Sequence, residues 1–194
     1  VFGDTPEEQR KTQLIEHLRR VHNALEQHLN GTSAPIVLVA PPEIHGHLKA
    51  LATGIEFHDD GVQMDPVAMD EAELHARAYE LVRPVFAQRR ADDLDRFRML
   101  AGANDPRASL ALADIVSAAR FQRVDTLFVQ EGASVWGRHD PNEDRVLIEA
   151  EPSPENEDLI DYAAVHTLVN GGNVHVLPLL EMPRDAPMVA IFRY

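Results

Sequence analysis

Histidines and acids are the side chains of this chain with the widest chemical range, and their spacing limits what they can do. His45-Gly46-His47 and His58-Asp59-Asp60 form the densest group among ten histidines. Zinc takes three or four N, O or S ligands in a tetrahedron, and helical partners stand three or four residues apart, not two. A metal-dependent hydrolase would need His45, His47, His58 and Asp59 to converge over long range; the pattern reads instead as surface histidines, and no metal centre is expected. His17 and His22 are a poor helical pair, and His166, inside an apolar helical stretch, reads as packed. Asp59-Asp60 and Asp92-Asp93 read as solvated surface in a chain with 32 acids. There is no G-x-S-x-G elbow and no phosphate-binding glycine loop. Without cysteine there is no thiol nucleophile, thiolate ligand or disulfide. No catalytic residue is assigned, catalysis is left open, and no cofactor is expected.

A second group of side chains suits contact with RNA or a protein partner. Arg10, Lys11, Arg19 and Arg20 fall on a predicted first helix, and Arg83, Arg89, Arg90, Arg96 and Arg98 crowd a later one. Both groups also fit solvated faces paired with nearby acids. Trp136-Gly137-Arg138 is the most unusual local patch. A Trp and an Arg of one strand can stack on a base or an aromatic partner; the plainer reading has Trp136 filling a sheet core and Arg138 in water. Strand alternation puts the two on one face.

The formal charge of −14 restrains these readings. Grip on a polyanion by bulk electrostatics uses a cation for each phosphate, so no DNA binding is expected and any RNA contact must be local. Hydrophobic residues make up 44% of the chain, enough for a core, but no apolar run approaches bilayer thickness. With a polar N-terminus and no cysteine, a cytoplasmic protein without membrane attachment is expected. The chain begins at Val1 rather than Met and reads as a fragment of a longer product.

The positioning elements follow from local signals. Thr5-Pro6-Glu7-Glu8 is a capping box that opens a helix through Leu29, stopped by Asn30-Gly31. Pro35–Ala40 is a β-branched run and reads as a buried strand. A short helix over 43–51, a strand at 55–57 and a loop at 58–70 follow. Asp70-x-x-Glu73 opens a long helix that Pro84 should kink or interrupt. The second half reads as helix 106–120, strands 124–130, 134–139 and 145–149, helix 154–170 opened by Ser153-Pro154, and strands 173–177 and 188–193. Gly171-Gly172 reads as a helix C-cap. This is an α/β chain of two mixed-sheet domains, expected at 1–95 and 96–194.

From Arg123 to Tyr194, RVDTLFVQEGASVWGRHDPNED and then LIDYAAVHTLVNGGNVHVLPLLEMPRDAPMVAIFRY resemble the C-terminal domain shared by archaeal and eukaryotic release factors and Pelota. The WGR turn and the late helix ending in NGG are most similar to the bacterial release-factor-like family. That resemblance covers most of the chain. It implies a middle-domain-like module at 1–95 and, at 96–194, a module with the fold of the ribosomal proteins that bind kink-turn RNA. It further implies a partner in the ribosome or tRNA, and a role in stalled-ribosome rescue. The Gly-Gly-Gln loop of those factors is absent; by element order its place is Val1–Gln9, which offers Gly3 and Gln9 beside Asp4, Glu7 and Glu8. The other reading is an acidic protein–protein adaptor that binds no RNA, working through an edge strand such as 188–193 or the Trp136 turn.

Overall fold

The computed structural model describes residues 5–29, 34–51 and 54–194. The chain divides into two compact units, Val1–Gln88 and Arg89–Tyr194. The division falls within a long helix.

The first unit opens with α1 (Pro6–Leu29). The capping box forms as expected: the Thr5 N–H donates to Glu8 Oε2 at 2.7 Å and the Glu8 N–H to Thr5 Oγ1 at 3.3 Å. The stop expected at Asn30-Gly31 lies outside the described residues. Leu18 and His22 are buried on the inner face of α1, and His45 and Leu48 on α2 (Pro42–Leu51). Between them, the run expected as a buried strand makes two isolated parallel bridges, Ile36 with Phe57 and Val39 with Val62. Between the two bridges the Lys49 ammonium donates to the carbonyls of His58 and Asp59. The partner of Val39 thus lies in the segment read as loop.

α3 (Glu71–Gly102) is capped by Asp70, whose carboxylate accepts from the Glu73 N–H at 2.8 Å. The helix runs on through Pro84 rather than ending there. Proline removes one backbone donor, and helical turns on both sides carry the segment.

The second unit holds two sheets. The larger has the order β1-β7-β2-β6, from Ala108–Ser109, Met188–Phe192, Val124–Gln130 and Asn173–Leu177. The smaller has the order β4-β3-β5, from Arg145–Ile148, Trp136–Asp140 and Glu157–Asp158. The mixed α/β class holds: β2 runs parallel to β6 and antiparallel to β7. The strand expected as a free edge at 188–193 is interior, lying between β1 and β2.

Period-two alternation builds two cores from one sheet. Leu127 and Val129 of β2 and Met188, Ala190 and Phe192 of β7 join α4 (Leu112–Arg120) and α5 (Leu159–Val169) on one face. Phe128, Val189, Ile191 and Leu177 meet Leu94, Phe97 and Leu100 of α3 on the other. Phe97 and Phe128 pack edge to face at 6.1 Å, and each fully buried ring contributes on the order of 2–3 kcal/mol. A bulge between Val124 and Thr126 of β2 breaks the alternation once. It leaves Val124 in the α4/α5 core and lets the Asp125 carboxylate meet Arg96 of α3 at 2.8 Å.

Two helix starts differ from the local signals. Ala108 and Ser109 pair with Ile191 and Ala190, so the helix expected from 106 begins at Leu112. The helix expected from 154 begins at Leu159, capped by Asp158, whose carboxylate accepts from the Ile160 N–H at 2.9 Å. Ser153-Pro154 instead opens a turn closed by Asn156, whose side chain accepts from the Ser153 N–H and donates to Glu149. Gly171 takes φ 74° after that helix, as a C-cap glycine does.

Candidate functional site

Arg10, Lys11, Arg19 and Arg20 are all exposed on α1. At about 100° per residue they stand roughly a quarter-turn apart, and so form no single stripe. None makes an ion pair among the described residues, which leaves their charge available at short range. Of the loop at Val1–Gln9, residues 1–4 lie outside the described part; Glu8 is spent on the helix cap, its carboxyl held low by the Thr5 backbone and hydroxyl.

Trp136 is half-buried and does not fill the core; Gly137 does. A Cβ at Gly137 would lie 2.2 Å from the Leu147 carbonyl oxygen and 2.6 Å from Leu159. Only glycine lets β3 approach β4 and α5 this closely, and Trp136 and Arg138 are left on the opposite side. The Arg138 guanidinium is held by Glu149 at 2.7 Å and Glu155 at 3.4 Å. Asn156 and then Arg138 hold the Glu149 carboxyl below its ordinary range. The local cation is therefore neutralised where a phosphate would have to meet it.

Next to this patch lies a cluster that local patterns do not reveal. The β3–β4 hairpin turns on Asp140, whose carboxylate accepts from the Asn142 and Glu143 N–H groups at 2.9 and 3.4 Å. The turn ends at Asp144 with φ 47°. It carries Asp144 back to His139, whose side chain is fully buried, with Nε2 3.4 Å from Asp144 Oδ1. His139 Nδ1 lies 3.1 Å from the Tyr162 hydroxyl. Tyr162 packs on His166 at 4.4 Å between ring centroids, one helical turn along α5, and Phe121 meets His139 edge-on at 6.5 Å.

One proton arrangement satisfies both ring nitrogens: Nε2–H donates to Asp144, and the Tyr162 O–H donates to Nδ1. Burial pushes the Tyr162 hydroxyl up and the His166 imidazole down, and Arg120 adds to the lowering at His166. Ser117, the largest influence holding the Asp144 carboxyl low, sits beside it without the alignment of a full hydrogen bond. A cleft of about 410 Å³ opens there, lined by Asp114, Ser117, Arg123, Asp144, Phe192 and Tyr194. This arrangement fixes a buried ring between a solvent-facing carboxylate and a tyrosine hydroxyl. It is not an acyl-transfer triad, since the serine stands against the carboxylate and not the imidazole. The sequence signal for it was weak: a histidine at a hairpin and an i, i+4 Tyr-His pair on a helix.

The remaining histidines have structural partners. His45 is buried rather than at the surface, its Nε2 3.2 Å from the Val62 carbonyl oxygen. His22 is buried as well. His58 accepts from the Asp60 N–H at 3.2 Å. His175 Nε2 lies 2.8 Å from Asp93 Oδ2, which ties β6 to α3. Among the described residues no three His, Asp or Glu side chains converge as metal ligands, and no helix is long and apolar enough to cross a membrane.

No curated protein matches the chain. Among solved structures, the C-terminal domain of a peptide chain release factor from Methanosarcina mazei is 14% identical, with a TM-score of 0.47 over 66% of this chain and 97% of that one. Pelota from Archaeoglobus fulgidus is 18% identical, with a TM-score of 0.39 over 92% of this chain and 54% of that one. An archaeal translation termination factor is 14% identical, with a TM-score of 0.39 over 100% of this chain and 55% of that one. The chain thus spans about half the length of the latter two. Residues 1–123 match the family model of bacterial archaeo-eukaryotic release factor family 3, and the chain belongs to that family.

Proposed function

We propose that this chain works at the ribosome or on peptidyl-tRNA as a release-factor-like module, in the rescue of stalled ribosomes. The observation that carries this reading is the family match over residues 1–123. The exposed cations of α1, Arg10, Lys11, Arg19 and Arg20, spread around the helix, are the local charges such a contact would use against a background of −14. Few phosphates would then be engaged, and the salt dependence would be shallow, about one power of salt for each contact. Trp136 adds a half-buried ring next to the neutralised Arg138. The sequence has no Gly-Gly-Gln, so docking is tested before hydrolysis. Co-sedimentation with ribosomes at low and moderate salt is expected, and Ala at all four α1 cations is expected to abolish it. No co-sedimentation of the unmodified chain at either salt would sink the reading.

A second reading, an acidic protein–protein adaptor that binds no RNA, is favoured by the clamp of Glu149 and Glu155 on Arg138 and by the net charge. A pulldown rich in one basic protein and free of ribosomal RNA would select it over the first.

A further inference from the structure

The two ends of the larger sheet differ. β1 is two residues long, and brevity is one way an edge strand avoids unwanted pairing. β6 has five residues, no Lys and no Pro, and pairs with β2 in unbroken register. Among the described residues no strand pairs with its other side. An edge without such protection is a template for another strand.

The face beside that edge is apolar. Val174 packs against the α4/α5 core, so Val176, two residues on, faces the same way, and it is 54% exposed. α5 covers this face and runs antiparallel to β6, joined to it by the turn Asn170–Gly172. A Cβ at Gly172 would lie 2.9 Å from the Val124 carbonyl oxygen, which keeps that turn against β2. The outer side of α5 carries Val165, Leu168 and Val169, an i, i+3, i+4 stripe that is at least half exposed.

Charge identifies the occupant. The Glu131 N–H donates to the Leu177 carbonyl at 2.8 Å, so Glu131 stands at the C-terminal end of β6. Glu181 lies in the 3-10 turn that follows. Asp161 lies in the first turn of α5, the end of the helix nearest that end of the strand. All three are exposed and make no ion pair among the described residues.

We propose that the free edge of β6 takes up an extended, basic segment of a partner protein as a fifth strand. Its alternate apolar side chains cover Val165, Leu168, Val169 and Val176, and its Lys or Arg residues lie at the Leu177 end. This goes beyond the ribosome reading and does not depend on it.

The probe is a synthetic peptide of about ten residues, valine at alternate positions and lysines at one end, matched to β6 and its flanks. Expected are slowed amide exchange and shifted amide resonances at 173–177. The charge-neutral double variant Val169→Ser with Val176→Ser is expected to bind about tenfold more weakly. Both positions are exposed, and Val165→Ser on the helix alone provides a second variant should the double variant lose its circular dichroism. A glutamate-for-lysine peptide is expected not to bind. Equal binding by the variants, or by a peptide of the same composition with its valines blocked together, would overturn the proposal. So would resonance changes confined to residues away from β6. Dimerisation of the chain alone that the double variant abolishes would assign the edge to a second copy, and overturn it as well.

Discussion

In the second unit a pleated sheet is buried on both faces, whereas in the first, among the described residues, the extended backbone is held at two bridges and by the side chains of His45 and Lys49. The seam at Ile36–Phe57 and Val39–Val62 is backed by the His45 ring on the Val62 carbonyl. Gly61 leaves the room for it: a Cβ there would lie 2.3 Å from His45 Cε1. In the second unit the same burial is spread over two continuous clusters. A structure held at few points should fail locally, and one held by many contacts should fail as a whole. The family match nonetheless falls mainly on the less densely paired part, residues 1–123.

Trp136 is the only tryptophan, so its fluorescence reports the second unit alone. The largest effect is expected from Gly137→Ala, which drives a Cβ into the backbone oxygen of Leu147. It should cost about 3 kcal/mol in the Trp-detected urea transition. His45→Ala should cost about 2 kcal/mol through a lost bond and a cavity. That loss should appear as faster amide exchange over 36–62 with the Trp-detected transition unmoved; coincident loss in both units would break the comparison. Asp158→Ala removes a carboxylate that accepts from both the Ile160 N–H and the Val135 N–H, and should cost about 1 kcal/mol in the second unit.

The smallest effect is in pH. The His166 imidazole is lowered from 6.5 in the fold, chiefly by burial. The unfolded chain therefore binds the proton more readily in the window below that value. The contribution of His166 is complete above about 6.5 and is lost as pH falls toward the lower folded value. His166→Gln should flatten that acid-side slope in the Trp-detected stability.

Elements with their own end signals were legible in the sequence. Thr5 with Glu8 and Asp70 with Glu73 announce α1 and α3, because a capping box is complete within four residues. The starts of α4 and α5 were not. Ala108-Ser109 becomes β1 only because β7, some eighty residues away, lies beside it. Ser153-Pro154 offers a good cap, but Asn156 and the pairing of Glu157 with Gly137 take that segment into the smaller sheet. Alternation put Trp136 and Arg138 on one face but could not say that the core lies on the other, under Gly137. The His139–Tyr162 contact joins residues 23 apart through strand-on-helix packing, for which a linear pattern carries no period.

The bulge in β2 gives that strand one residue of slack. Deleting Asp125 would bring Val124 and Thr126 into ordinary alternation and sacrifice the tie to Arg96 and the hydrogen bond from the Thr126 hydroxyl. Deleting Phe128 would turn part of the strand inside out, exchanging side chains between the two cores. A single-residue deletion scan along β2 should therefore find its tolerant site at 125, the position where insertion or loss is absorbed without re-sorting the interior.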